Sequence, residues 1–98
     1  MLVEFKSKKL ERLYTDPEYT GGFEISIVRA FRKRMQAIIA ATNERDLYPL
    51  SALRFEKLKG QMSHLRSIRL NDQFRLIVEM KTGSSGNTMV IVDIADYH

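Results

Sequence analysis

The sequence has no cysteine, and that single absence removes disulfides, cysteine-bound zinc and thiol catalysis together. Long apolar runs are missing as well. No stretch approaches the roughly eighteen residues of a membrane span. The opening Met1-Leu2-Val3-Glu4-Phe5-Lys6 has no apolar core of a secretory signal, so the expected compartment is the cytoplasm. Histidine is scarce: His64 and His98 are the only imidazoles, and they lack the paired spacing of a metal site. There is no Gly-rich phosphate loop, no serine nucleophile elbow, no internal repeat and no low-complexity segment. Neither a metal nor an organic cofactor is therefore expected.

What is present is one ordinary globular domain, residues 1–98, with 44 % apolar and 29 % charged residues. Sixteen Lys and Arg against twelve Asp and Glu leave a net charge of +4, and the excess is clustered. Arg29, Arg32, Lys33 and Arg34 form one group; Lys57, Lys59, Arg66, Arg69 and Arg75 form another with only Glu56 and Asp72 nearby. Clustered base points to a polyanion partner, although a solvated helix face accounts equally for the first group.

The periodicity begins with a short strand at Leu2, Val3 and Phe5, then a helix from about Ser7 to Tyr14 and a loop through Pro17, Gly21 and Gly22. From Glu24 to about Asn43, Ile27, Val28, Phe31, Met35, Ile38, Ile39 and Thr42 recur at helical spacing, with Arg29, Arg32, Lys33 and Gln36 on the other face. The helix must end before Pro49, and 51–59 has no clear period, though Leu53, Phe55 and Leu58 need cover. After Gly60 the period changes from 3.6 to 2, which predicts a hairpin: Leu65 to Leu70, a turn at Asn71-Asp72-Gln73, then Phe74 to Lys81. A last strand, Thr88 to Ile94, is expected to turn Val90, Val92 and Ile94 inward; apolar residues on both sides mark it as central. The expected fold class is α+β, with an antiparallel-dominated sheet against two N-terminal helices.

If Leu70 pairs with Phe74 and Ile68 with Leu76, Arg69 stands directly opposite Arg75. Opposed like charges destabilise a hairpin by a few tenths to about 1 kcal/mol. Either both side chains splay into water, or an anion sits between guanidiniums whose forked donors fit a phosphate. The sequence closes on Asp96-Tyr97-His98, a carboxylate, a phenol and an imidazole. An imidazole exchanges protons near neutral pH. With Lys59, Arg69 and Arg75 as cations, this set suits cleavage of RNA by its own 2′-hydroxyl, which needs a base, an acid and charge stabilisation at phosphorus.

The runs Phe55-Glu56-Lys57-Leu58-Lys59-Gly60, Ser67-Ile68-Arg69-Leu70-Asn71-Asp72-Gln73-Phe74-Arg75-Leu76 and Asp96-Tyr97-His98 resemble the HigB toxins of bacterial toxin–antitoxin modules, a branch of the RelE/ParE superfamily. The resemblance implies a compact domain of that superfamily and a ribosome-dependent endoribonuclease that cuts messenger RNA. It further implies catalytic or orienting roles for Asp96, Tyr97 and His98, and phosphate binding by Lys59, Arg69 and Arg75, with Arg75 stabilising the transition state. A HigA-like helix-turn-helix antitoxin is the implied partner. Some HigB toxins have a His shortly before the Leu-Lys-Gly motif, where this chain has Glu56 or Lys57, which leaves the general base open. Lys8, Lys9, Arg12, Arg32, Lys33 and Arg34 could contact ribosomal RNA or an acidic antitoxin, or simply be solvated. The alternative function is that of ParE-like toxins, which bind and poison DNA gyrase without cutting RNA.

Overall fold

A computed structural model describes residues 1–81 and 87–96. The order is β1 (Leu2–Phe5), α1 (Lys8–Thr15), α2 (Ile25–Ala40), β2 (Glu56–Lys57), β3 (Leu65–Arg69), β4 (Phe74–Lys81) and β5 (Thr88–Asp96). Short 3₁₀ turns at Glu44–Asp46, Ser51–Leu53 and Gly60–Met62 fill the connections. The strands form one mixed sheet in the order β1-β5-β4-β3-β2; β1 runs parallel to β5, and the other neighbours are antiparallel. The expected α+β class holds, and β5 is interior, between β1 and β4.

The helical layer is fixed by its ends. Ser7 caps α1, its hydroxyl accepting from the Leu10 N–H at 3.2 Å. Arg32 then ties the loop after α1 to α2: its guanidinium donates to the carbonyls of Leu13, Asp16 and Tyr19 at 2.9, 3.0 and 3.1 Å. The Leu13 carbonyl is one that the helix end leaves unpaired, since the residue four on is Pro17. Arg32, one of the basic residues weighed for RNA or antitoxin contact, thus has a structural role. The long helix also stops earlier than periodicity predicts. Asp46 Oδ2 accepts from the Thr42 N–H at 2.9 Å, a donor that a continuing helix would have turned to Ile38, and Asn43 and Asp46 form a capping box for the next turn. Thr42, beyond the helix end, is consequently exposed, and Ile39, within the helix, is 40 % exposed as well.

The core lies between the helices and one face of the sheet. Leu13, Phe31, Met35 and Ile38 meet Ile68, Leu76, Val78, Met89 and Ile91, all fully buried. Burial of each such side chain contributes about 1.5–3 kcal/mol. Leu53 and Phe55 find their cover here too, with Leu47. The expected inward face of β5 needs correction. A register shift between Ile77 and Val78 pairs Ile77 with Asp93 but Val78 with Ile91, so Val92 is extra and the alternation reverses across it. Met89, Ile91 and Ile94 enter the core, while Val90 and Val92 stay half-buried. No helix among the described residues is long and apolar enough to cross a membrane.

Candidate functional site

The β3–β4 turn builds the site. Asn71 Oδ1 accepts from the N–H groups of Gln73 and Phe74 at 2.9 and 2.7 Å, an Asx-type turn that reverses the chain within three residues. Leu70 N–H donates to the Phe74 carbonyl at 3.0 Å and closes it. The resulting register puts Ile68 opposite Leu76 and Arg69 opposite Arg75. Since Ile68, Leu70 and Leu76 point into the core, alternation turns Arg69 and Arg75 to the face away from the helices.

Both guanidiniums are held rather than splayed. Arg69 Nη2 pairs with the Asp72 carboxylate, and Arg75 Nη1 donates to the carbonyls of Asn71 at 2.6 Å and Phe74 at 3.3 Å. The last described residue of β5, Asp96, comes to the same end of the sheet opposite Phe74, where Gln73 Nε2 donates to its Oδ2 at 3.1 Å. Tyr97 and His98 lie outside the described residues.

Lys59 is not brought to this group. Leu58 N–H donates to the Leu65 carbonyl, so Lys59 follows level with the far end of β3, about 16 Å along the strand from Arg69 at about 3.3 Å per residue. It is exposed there, as is His64. Gly60, at φ +67, takes a left-handed backbone that a glycine adopts without penalty, which accounts for the glycine after Lys59. Among the described residues no group of three or more His, Cys, Asp and Glu comes together.

Two residues outside the expected set shape the site. Arg34, expected on a basic outer surface, runs under the sheet end: its Nε donates to the Arg69 carbonyl at 2.9 Å and its Nη2 to the Ala52 carbonyl at 3.4 Å. Burial, helped by the nearby Arg69 charge, lowers the Arg34 pKa from its ordinary value. Arg54 holds φ 44 and ψ 52, left-handed for a residue with a Cβ, at a cost of about 1 kcal/mol. Arg54 could not be found from periodicity, because 51–59 has none, and Arg34 escapes it because helical periodicity records where a side chain starts and not where it reaches.

A model of the HigB-like toxin family, described as RelE-like toxins of type II toxin–antitoxin systems, matches residues 3–98. The chain belongs to the HigB-like toxin family. It is 38 % identical over 88 residues to Toxin HigB-1 of Vibrio cholerae serotype O1, covering 90 % of this chain and 93 % of that protein. Among solved structures it is similar to a YoeB/ParE toxin from Agrobacterium tumefaciens, with TM-score 0.62, 14 % identity and all of both chains covered. It is also similar to a chain of the toxin–antitoxin complex RelBE2 from Mycobacterium tuberculosis, with TM-score 0.51 and 17 % identity over 98 % of this chain and 96 % of that one. At such identities these two likenesses speak for the fold alone. As a HigB-like toxin the chain has an antitoxin for a partner, and the gyrase-poisoning alternative is not favoured.

Proposed function

We propose that this HigB-like toxin is a ribosome-dependent endoribonuclease that cuts messenger RNA through the RNA's own 2′-hydroxyl, in the cytoplasm. A base takes the 2′-hydroxyl proton, the oxygen attacks phosphorus, and the bond from phosphorus to the 5′-oxygen breaks as an acid protonates the departing oxygen. His98 is assigned the proton transfer, Tyr97 and Asp96 orient it or the base, and Arg75 stabilises the charge gathering on phosphate. Lys59, remote from Arg69 along β3, serves the message strand away from the reacting phosphate.

The observation that carries the reading is the Arg69–Arg75 register pair at the sheet end to which β5 delivers Asp96. A fold gains nothing in stability from facing two guanidiniums across a hairpin; a polyanion gives the arrangement a use. A helix-turn-helix antitoxin of HigA type is the proposed inhibitor.

Primer extension on ribosome-bound message tests the assignment. His98→Ala is expected to slow cutting about a hundredfold to ten-thousandfold; cutting at the normal rate would sink the role of His98. No step uses a metal, so cleavage should continue in a chelator that leaves ribosomes intact. DNA damage without message cuts would return the gyrase alternative.

A further inference from the structure

The hydrogen bonds of Arg34 do more than brace a helix. By reaching both the Arg69 and the Ala52 carbonyls they fasten the Ser51–Leu53 turn beside the end of β3. Between the two lies an open hollow of about 270 Å³ lined by Ser51, Ala52, Arg54, Arg69 and Asp72. Arg54 and Arg69 share the lining of this hollow, and Arg69 is level with Arg75 in the neighbouring strand. The three arginines thus gather at one end of the sheet.

The charge in this hollow is unbalanced. Asp72 is the one carboxylate in its lining, and it pairs with Arg69. The Arg54 guanidinium makes no hydrogen bond or ion pair among the described residues, although its backbone is held left-handed. Arg34 adds a third positive charge below, itself close enough to Arg69 for that charge to lower its pKa. Strained backbone under an unengaged cation is a feature of binding sites. The Asp72 side chain is 98 % exposed, so its pair with Arg69 is screened by water and readily exchanged for another anion.

We propose that Arg54, Arg69 and the Ser51 hydroxyl bind a second phosphodiester of the RNA strand, adjacent to the one at Arg75, and that Asp72 occupies Arg69 until that phosphate displaces it. The ligand class rests on the ribonuclease reading. Arg69 is then a strand-binding residue rather than half of a clamp on the scissile phosphate, while Arg34 positions both walls of the hollow.

The test uses the intact protein and a single-stranded RNA with 2′-O-methyl groups, which cannot be cut by its own sugar. Arg54→Gly removes the guanidinium and relieves the left-handed backbone, so it should melt no lower than the parent. It should weaken binding about three- to tenfold at low salt and reduce the slope of log affinity against log salt by about 0.7, the loss of one contact to a single strand. Arg54→Asn, which also accepts left-handed backbone, should do the same. Asp72→Asn should tighten binding about two- to fivefold. Unchanged affinity and slope in both Arg54 variants would overturn the proposal, as would weaker binding by Asp72→Asn. Altered antitoxin binding with unaltered RNA binding would overturn it in favour of a protein ligand. Because this strand is never cut, the outcome is separate from that of the cleavage assay: a parent protein that makes no cuts in ribosome-bound message would defeat the ribonuclease reading and leave the Arg54 binding result standing.

Discussion

The two faces of the sheet, built from the same strands, obey different rules. Toward the helices Ile68, Leu76, Val78 and Ile91 are fully buried against Phe31 and Met35, and fit is what matters there. On the opposite face, one residue along each strand, Arg69 and Arg75 stand level and half-buried at a cost in folding energy. The difference teaches that stability and charge placement have been assigned to alternate residues of single strands. A substitution on either face should then disturb one property and spare the other.

The largest expected effect is on the covered face. Phe31→Ala should cost about 3–5 kcal/mol, a large part of a small domain's stability, and urea unfolding will read it. At temperatures where that variant remains folded its cleavage rate should be near normal; a rate lost while folded would break the division between the faces. Next, Arg75→Ala should lower cleavage of ribosome-bound message about a hundredfold to a thousandfold while moving the melting temperature by only a few degrees. Arg32→Leu should cost about 1–3 kcal/mol, because it strands the carbonyls of Leu13 and Tyr19. Its RNA binding at low salt should stay within about twofold of the parent, which sharpens the separation between bracing and binding arginines. The smallest effect belongs to Lys81→Gln: the Lys81–Glu4 pair, at 3.3 Å, joins two exposed side chains, and thermal melting should register no more than about 0.5 kcal/mol.

Much of this division was legible in the residues alone. Alternation in Leu65–Leu70 and Phe74–Lys81, with a turn at Asn71-Asp72-Gln73, was enough to place Arg69 opposite Arg75, because a short turn leaves little choice of register. The stripe from Ile27 to Ile38 likewise marked the buried side of α2. The failures share a physical cause. A bulge is one extra residue with no signature in an apolar run, so Met89 and Ile91 exchanged places with Val90 and Val92. Arg32 and Arg34 are long enough to leave an outer helix surface and reach backbone carbonyls, and helical periodicity records only where a side chain starts.

By itself the sequence determined the α+β class, the Arg69–Arg75 pairing and a closing Asp96-Tyr97-His98, since these follow from local period, turn chemistry and order along the chain. Only the tertiary structure decided that β1 lies parallel beside β5, that Lys59 stands at the far end of β3 from Arg69, and that Arg34 and Arg54 gather around Arg69. Those relations join segments distant along the chain. They depend on which carbonyls a buried guanidinium can satisfy and on which strand ends the packing brings level.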